Sequence, residues 1–484
     1  MKSQTRYLIG CLAGLLLFSS CQRELLTPVP QTSITDATAF DTPARVLNQV
    51  NSLYSALKNG NFYGGRAQIA GDIRGEEFLN ETTNLVTGSD VWSLNPTGTS
   101  QNFVKNLWSQ AYYVINLCNL FVDGMGTKGT AVVGATLSSN YIAEARLIRA
   151  ITYLKLLEHY ARPYADGNGS KPGLPLRLTG IKASGYSDLA RSTVAQVYTQ
   201  IITDLDFAEA NLPASYATAI LNSTRAHKNT AIAFKTRVYL SMQDYAKVIT
   251  ESNKIVGQDV APFSATAGVA HALNANVVNV FRTPYTSSES ILSMPMTATA
   301  GDNPGTQNQL GYYFSRTTGN GEFSLNPSGI IANTGWTAND ARRTFNAVVS
   351  AKPYLNLKFN APSPYTDYAP VIRYAEVLLN LAEALARTNT TVSVKSVALL
   401  NAVRKRSDAT VTLAPATQAD LVNAILTERR IEFLGEGLRN FDLMRLLQTI
   451  PAKGTIPAKA STEQGYIWPI SSDELSLNRL MTDN

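Results

Sequence analysis

Residues Ala231–Val256 read AIAFKTRVYLSMQDYAKVITESNKIV, and the fold prediction rests mainly on this segment. Its first half places small and aromatic residues at helical spacing, a polar turn follows at Asp244-Tyr245, and a second helix is predicted after the turn. Two short helices joined in this way have one apolar face that they cannot bury alone, so such pairs stack on neighbouring pairs. The stretch therefore predicts a body built of stacked helix pairs.

A second stretch has the same organisation, and both resemble the tetratricopeptide repeat. It reads VIRYAEVLLNLAEALARTN and then SVALLNAVRKRS, within Val371–Ser407. Helical periodicity is also present elsewhere in the chain. The predicted fold class is mostly α, an α/α superhelical frame with long loop insertions that carry short strands. The helices are predicted at Phe103–Val122, Tyr141–Tyr160, Ser192–Asn211, Thr230–Met242, Asp244–Val256, Tyr368–Arg387, Ser393–Ser407 and Gln418–Leu447, the last broken at Gly435 and Gly437.

Two long segments between the helices are rich in glycine, proline, asparagine and threonine. They span Gly60–Ser100 and Ala261–Pro364, and a short strand is predicted at Ser290–Met294. Both segments contain several aromatic residues, which argues against disordered linkers. Long loops in a compact domain usually carry function, so we expect the binding residues here.

The N-terminus has the pattern of a lipoprotein export signal. Lys2 and Arg6 precede an apolar run of 11 residues, Leu8–Phe18, which is too short to span a membrane. Small residues then lead to Cys21, the predicted site of lipidation, although Phe18 stands where leucine is usual. Cys11 is a second candidate, and cleavage without lipidation is the alternative. Residues 1–20 are the predicted signal peptide, and residues 21–33 are a predicted flexible tether.

Composition excludes several functional classes. Without residues 1–20 the chain has 40 basic and 36 acidic residues, because Lys2 and Arg6 leave the total of 42, and this net charge near +4 does not indicate nucleic-acid binding. Apart from Cys21, Cys118 is the one cysteine beyond the signal peptide, and we expect it to be a buried helix residue. The three histidines lack metal-ligand spacing. The segment Asp302–Gln309 contains oxygen donors but not the calcium-loop pattern, so no metal or cofactor is predicted.

Several blocks of sequence carry a family resemblance. They include WSQAYYVINLCN at Trp108–Asn119, a second helix at Tyr141–Tyr164, RSTVAQVYTQIITDLDFAEANLP at Arg191–Pro213, TERRIEFLGEGLRNFDLMRL at Thr427–Leu446 and YIWPISSDELSLN at Tyr466–Asn478. In this order they resemble the SusD/RagB family of outer-membrane nutrient-binding lipoproteins. Gln196 departs from the usual acid, and Arg162-Pro163 departs from the usual Tyr-Gly. Both departures lie near helix ends.

The resemblance implies a function and a partner. The protein would be a non-enzymatic, cell-surface lipoprotein that captures oligosaccharides and passes them to a SusC-like TonB-dependent transporter in the outer membrane. Peptides are the alternative cargo, as in RagB-like members, and a tetratricopeptide-type interaction scaffold is a further alternative. The resemblance also implies an N-terminal region at 34–225 and a C-terminal region at 226–484 that form one compact body.

Candidate ligand-binding residues are the aromatic and polar side chains of the long loops. A sugar ring has an apolar face that packs on an aromatic ring and a hydroxylated edge that hydrogen bonds to polar groups. Each aromatic residue could instead pack in the core or contact the transporter. The candidates are Trp92, Asn95, Arg74, Asp72, Tyr312, Tyr313, Trp336 and Asn339.

The charged residues of the predicted helix near the C-terminus have two interpretations, a catalytic acid–base pair or a structural ion-pair network. Glu428 and Glu432 lie on one helix face and could form the acid–base pair of a glycoside hydrolase. Arg429, Arg430 and Arg439 are expected to pair with them and keep both ionised, whereas a general acid needs a raised pKa. We therefore predict a structural ion-pair network here, and similar ones for Glu144 with Arg146 and Arg149 and for Arg373 with Glu376 and Glu383. No nucleophile elbow or phosphate loop is present.

Overall fold

A computed structural model of the protein describes residues 38–183 and 185–484. The predicted signal peptide, the predicted tether and Cys21 lie outside this range. Among the described residues, no helix is both long enough and apolar enough to cross a membrane.

The described chain is mainly helical, and most of the predicted helices are confirmed. The helices are α1 Pro43–Leu57, α2 Arg66–Ile73, α3 Ser89–Trp92, α4 Asn106–Gly124, α5 Thr130–Val133, α6 Ala135–Tyr160, α7 Val194–Asn211, α8 Ala219–Thr224, α9 Lys228–Ser241, α10 Tyr245–Ser252, α11 Leu310–Phe314, α12 Tyr374–Thr388, α13 Val394–Ser407, α14 Gln418–Glu432, α15 Arg439–Arg445 and α16 Ser472–Leu477.

The helices stack one on the next to form the predicted frame. Helix α4 packs on α6, α6 on α7, α7 on α9, and the pair α9–α10 packs on the pair α12–α13. Cys118 of α4 is fully buried, as predicted. Each pair supplies an apolar face to its neighbour, so the core runs along the whole stack.

Local hydrogen bonds fix where these helices begin. The Thr193 hydroxyl oxygen accepts from the Gln196 backbone N–H at 3.2 Å, and the Gln196 side-chain oxygen accepts from the Thr193 N–H at 2.8 Å. This reciprocal capping box satisfies two N–H groups that a helix start otherwise leaves unpaired. Gln196, the departure from the family pattern, therefore fills the role of an acid in starting α7.

Three short antiparallel strand pairs accompany the helices. They are β1 Phe78–Asn80 with β3 Phe323–Leu325, β2 Ser290–Met294 with β6 Ala369–Arg373, and β4 Ala347–Val349 with β5 Lys352–Tyr354. The strand predicted at Ser290–Met294 is confirmed. The predicted helix Tyr368–Arg387 is wrong over its first residues, because the buried segment Ala369–Arg373 pairs with β2 and the helix begins only at Tyr374. Its Val371-Ile372 dipeptide favours an extended backbone.

The helix predicted at Gln418–Leu447 is interrupted by a sharp turn at Gly435 and Gly437, as expected. Gly435 and Gly437 have φ of +86° and +81°, a region that residues with a Cβ rarely adopt. A Cβ at Gly437 would lie 2.5 Å from the Cα of Gln68 in α2. The turn thus separates α14 from α15, and its glycines allow the backbone of the turn to lie directly against α2.

Helix α2 is an element that the sequence did not predict. It lies within Gly60–Ser100, which was interpreted as a loop, and all of its residues, including Arg66 and Asp72, are buried. A helix buried on every side has no apolar stripe, so its periodicity gives no signal.

We predict that Gly437→Ala destabilises the protein by about 2 kcal/mol or more, because alanine would be held at positive φ and its methyl group would clash with Gln68. Chemical denaturation measures this loss. Gly126→Ala is the matched control, since a Cβ there meets no atom within 4 Å and the residue lies in a helical segment. It should be neutral or slightly stabilising. Equal stabilities of the two variants would contradict the prediction.

Candidate ligand-binding site

Several loops converge on one surface, which we call the loop face and define as residues 79–100, 283–287, 295–322 and 350–368. The Glu81 backbone N–H donates to the Glu322 carbonyl at 2.9 Å, which joins the first loop to the third. The Gln309 side-chain amide donates to the Asp367 carbonyl at 3.2 Å, which joins the third to the fourth. The first, third and fourth loops are therefore fixed to each other by hydrogen bonds.

Four tyrosines form the aromatic part of the loop face. The rings of Tyr285 and Tyr368 stack with their centroids 4.5 Å apart and their planes 15° apart. Tyr312 packs edge-on to Tyr365 at 6.0 Å. Tyr285, Tyr312 and Tyr368 are half-buried, while Tyr365 is buried. The two pairs are linked through Tyr365 and Tyr368, which are three residues apart in the sequence, and we call these four residues the tyrosine cluster.

Two of the four tyrosines have an unusual backbone conformation. Tyr285 and Tyr365 have φ of +59° and +61°, and each follows a proline. A bulky residue at positive φ is rare and costs free energy, so the surrounding structure must hold it in place. Tertiary contacts therefore fix the positions of these two tyrosines, because the local backbone preference of tyrosine would not.

Asp367 connects the stacked pair to the adjacent loop. Its carboxylate accepts from the Tyr285 hydroxyl at 3.0 Å and from the Ala361 backbone N–H at 2.8 Å. Burial raises the pKa of Asp367, and these two donors partly oppose the rise. The aspartate therefore orients the Tyr285 ring instead of presenting a free charge to solvent.

Trp92 lies on another part of the loop face. It is half-buried, and its indole N–H donates to the Phe78 carbonyl at 2.8 Å. The ring of Phe78 in turn stacks on Phe314 at 4.6 Å, two residues after Tyr312. The Lys453 ammonium group lies over the Trp92 ring, 5.5 Å from its centroid. Trp92 is thus a fixed aromatic surface next to the strands that support Tyr312.

The structure buries four of the eight candidate residues. Asp72 accepts from the Gly437 N–H at 2.8 Å, and Arg74 donates to the Tyr466 carbonyl at 2.6 Å. The Tyr313 hydroxyl donates to the Gln307 carbonyl at 3.0 Å, and Trp336 lies under Arg343 at 4.2 Å. All four are 2 % exposed or less, so in this conformation they support the loops and do not reach a ligand.

The other four candidates are accessible. Trp92 and Tyr312 are half-buried, and Asn95 and Asn339 are exposed. Asn95 follows helix α3, which contains Trp92, so these two lie together as expected. Asn339 instead occupies a turn beside Asp340, whose carboxylate pairs with Arg342 at 2.6 Å. The structure therefore brings Trp92, Asn95 and Tyr312 to the loop face.

The sequence analysis did not single out Tyr285, Tyr365 and Tyr368 as candidates. Tyr285 lies in the segment Ala261–Pro364, whose aromatic residues were considered only as a group, and Tyr368 was assigned to a helix. A signal was present in the repeated Pro-Tyr dipeptides Pro284-Tyr285 and Pro364-Tyr365, because proline in a loop marks a tight turn.

The charged helix α14 belongs to a buried ion-pair network, as predicted. The arginines that pair with Glu428 and Glu432, however, are not the predicted ones. Glu428 pairs with Arg342 at 2.6 Å and with Arg404 at 2.5 Å, and Glu432 pairs with Arg342 and Arg373. The predicted partners of these glutamates bind other acids: Arg429 pairs with Asp442, Arg430 with Glu76 and Glu77, and Arg439 with Glu76. The prediction considered only arginines near the glutamates in the sequence, whereas the observed partners of Glu428 and Glu432 come from other parts of the chain.

Two smaller ion-pair groups were also predicted with the wrong partners. Glu144 pairs with Arg225, while Arg146 and Arg149 pair with Asp204. Arg373 pairs with Glu289, Glu432 and Glu436. Glu376 pairs with Arg237. Glu383 pairs with Arg387 and Arg445.

The electrostatics of Glu432 do not suit a general acid. Burial alone would raise the pKa of Glu432, but Arg406, Arg373 and Arg342 lower it well below its usual range. The carboxylate therefore stays ionised, whereas the acid of a glycoside hydrolase must carry a proton near neutral pH.

The one carboxylate of Asp302–Gln309, that of Asp302, is engaged by other residues of the protein. The Asp302 carboxylate pairs with Lys58 and accepts from the Thr297 hydroxyl at 2.6 Å. Among residues 38–183 and 185–484, no group of three or more histidine, cysteine, aspartate or glutamate side chains is placed to hold a metal ion.

Comparison with known families matches both halves of the chain. Residues 330–484 match the model described as the SusD family, and residues 29–240 match the model described as "Starch-binding associating with outer membrane".

Individual relatives agree with these matches. A crystal structure of a SusD superfamily protein from Bacteroides fragilis is 30% identical, with a TM-score of 0.81, over 92% of this chain and 99% of that one. A SusD superfamily structure from Bacteroides thetaiotaomicron has the same fold, with a TM-score of 0.80 at 21% identity over 92% of this chain and 99% of its own. The SusD-like protein P2 of Formosa agariphila is 25% identical over 92% of this chain and 93% of its own.

A stacked helical frame that presents aromatic residues on fixed loops defines a binding protein of the helical-repeat class. Within that class the chain belongs to the SusD/RagB family.

We predict that Asp72→Asn reduces the pH dependence of stability. Burial raises the pKa of Asp72 to about 7, so ionising this side chain favours the unfolded state. The wild type should therefore lose stability relative to the variant as pH rises from about 4 to 7, by about 4 kcal/mol at most. Urea unfolding of both proteins at pH 4.5 and pH 8 measures this difference, in which the other ionisable groups cancel. A pH-independent difference would contradict the prediction.

Proposed function

We propose that this protein captures oligosaccharides on its loop face and delivers them, unaltered, to a SusC-like TonB-dependent transporter. The observation that carries the proposal is the tyrosine cluster, in which three accessible rings are held by the tertiary structure. Trp92 with Asn95 adds a second aromatic and polar pair on the same face. The family description as starch-binding and associated with the outer membrane supports a carbohydrate cargo and this location.

The chemistry of the loop face suits a neutral, ring-shaped ligand. Aromatic rings bind the apolar face of a pyranose, and side-chain amides and guanidinium groups bind its hydroxyl groups. Next to the tyrosine cluster, Arg316 is exposed and donates to the Asn320 carbonyl at 2.7 Å, so its position is partly fixed. The buried Asp367 is engaged by Tyr285. We therefore infer that affinity depends on stacking and shape more than on charge.

The first test measures binding of soluble glycans by the chain starting at residue 22. Tyr312→Ala, Tyr368→Ala and Trp92→Ala should each weaken binding about 2- to 12-fold, since one aromatic contact contributes about 0.5–1.5 kcal/mol. Isothermal titration calorimetry gives the affinities. Tyr113→Ala is the matched control, because Tyr113 is 55 % exposed on helix α4 and does not belong to the loop face.

A peptide library measured in parallel separates the two cargoes. Binding of peptides alone would overturn the assignment to oligosaccharides, and unchanged glycan affinity in all three variants would remove the site from the loop face. Release of shortened glycan products would overturn the non-enzymatic role.

The membrane anchor is tested by fractionation. We propose that acyl chains on Cys21 hold the protein at the outer membrane, facing the cell exterior, with residues 21–33 as the tether to the body at 34–484. Cys21→Ala should then move the protein from the membrane fraction to the soluble fraction, because the acyl chains supply the insertion free energy. Cys11→Ala is the control and should remain in the membrane. A Cys21→Ala protein that stays membrane-bound would contradict this assignment.

A further inference from the structure

A buried lysine from the C-terminal part of the chain lies beside Trp92. Lys453 is 2 % exposed, and its ammonium group lies 5.5 Å from the centroid of the Trp92 ring. Lysine is rarely buried to this extent, because its charge loses the hydration that water provides. A lysine at such a place therefore needs polar partners that replace the water.

The polar partners of Lys453 are three consecutive backbone carbonyl groups at the end of helix α2. Its ammonium group donates to the carbonyls of Arg74 and Gly75, both at 2.9 Å, and also to the carbonyl of Ile73. The last carbonyls of a helix have no partner within the helix and carry partial negative charge. Because an ammonium group has three N–H donors, all of them are used to join Lys453 to this helix end.

Lys453 belongs to a turn that we call the C-terminal hairpin and define as residues 450–459. Lys453 and Ile456 exchange two backbone hydrogen bonds, of 3.0 and 2.8 Å. The next residue after Lys453 is Gly454, which is exposed, and a Cβ on it would lie 3.7 Å from the Trp92 ring. The backbone of the hairpin therefore lies close to this ring.

A small apolar cluster, separate from the main core, joins the same hairpin to the loop that follows Trp92. Its buried members are Leu94, Leu443, Met444, Ile450 and Tyr466. Leu94 has φ of +58°, which a residue with a bulky side chain adopts only when the surrounding structure holds it there. The C-terminal segment thus fixes a loop whose own sequence would not.

The helix end that Lys453 binds leads directly to the other support of Trp92. Gly75 is followed three residues later by Phe78, whose carbonyl accepts the indole N–H of Trp92 at 2.8 Å. Trp92 is therefore in contact with both β1 and the C-terminal hairpin, and Lys453 joins the hairpin to the segment that precedes β1. Removal of its three donors would release the hairpin from α2 and let the Trp92 ring change its position.

We propose that Lys453 is a positioning residue for cargo binding, which fixes the Trp92 ring in its binding orientation without touching the cargo. The proposal rests on the proposed function for the role of Trp92 and adds which residue sets the position of this ring. Lys453 is buried, whereas Trp92 is half-buried and accessible. A side chain that is already ordered before the ligand arrives loses less entropy on binding. Affinity at Trp92 thus depends on a hairpin that is remote in the sequence.

The first test follows the Trp92 ring without any ligand. Trp92 is half-buried, while the other tryptophans are at most 2 % exposed, so acrylamide quenching of tryptophan fluorescence reports mainly on Trp92. Lys453→Met has a side chain of similar length without N–H donors. It should raise the quenching constant of the chain starting at residue 22, because the ring is no longer held in place.

Lys459→Met is the matched control for this test. Lys459 lies in the same hairpin, and its ammonium group also donates to a backbone carbonyl, that of Gln464 at 2.8 Å. The control variant should be quenched like the wild type. Thermal unfolding establishes that each variant is folded.

The second test measures glycan affinity by isothermal titration calorimetry in a double-mutant cycle of Lys453→Met and Trp92→Ala. Alone, Lys453→Met should weaken binding about 2- to 12-fold, as Trp92→Ala does, because it displaces the same aromatic contact. In the Trp92→Ala protein it should have no further effect, because no ring remains to be positioned. If the methionine variant does not fold, Lys453→Gln takes its place, since glutamine keeps two N–H donors, and its effects should have the same sign.

The outcomes separate this inference from the proposed function. Wild-type glycan affinity or wild-type quenching in the folded Lys453 variant would overturn the inference. An equal loss of affinity in the presence and absence of the Trp92 ring would also overturn it, because Lys453 would then act on the loop face as a whole. A wild type that binds no glycan would overturn the proposed function and the cargo role of Lys453, while the quenching would still show whether Lys453 fixes the ring.

Discussion

The structure depends on a buried ion-pair network that joins the long insertion to the helical frame. Arg373, at the end of β6, pairs with Glu432 of α14, with Glu436 in the glycine turn and with Glu289 before β2. Arg342, from the insertion, pairs with Glu428 and Glu432. Removing one partner of a buried pair leaves an uncompensated charge and typically costs about 3–5 kcal/mol, so each member requires the others. The insertion and the frame are thereby held in a single arrangement.

This constraint explains how loops can form a defined binding surface. Loops rich in glycine and proline lose much conformational entropy on ordering, and local preferences do not fix them. The ion-pair network, the β2–β6 pairing and the hydrogen bonds of Asp367 together supply that ordering. The tyrosine cluster can then hold two residues at positive φ and still present its rings in fixed positions, which reduces the entropy lost when a ligand binds.

The sequence was most informative where structure is local or periodic. Amphipathic spacing located α4, α6, α7 and α13, and the glycines at 435 and 437 located the turn, because these signals lie within a few residues. Helix α2 is buried on every side and gave no periodic signal. Asp72 and Trp336 were expected at a binding surface but are buried, because packing against distant segments decides whether such residues are exposed. The partners of Glu428 and Glu432 could not be predicted for the same reason.

The tyrosine cluster lies entirely within one continuous stretch, since Tyr285, Tyr312, Tyr365 and Tyr368 all fall between the end of α10 at Ser252 and the start of α12 at Tyr374. The paired strands β2 and β6 lie within the same stretch, and β6 leads directly into α12. A different stretch at this position would therefore have to keep the ion pairs of Arg342, Arg373 and Glu289 and the strand that pairs with β1. Substitutions at the exposed positions of the stretch, by contrast, can alter the tyrosine cluster while the stacked helices stay the same.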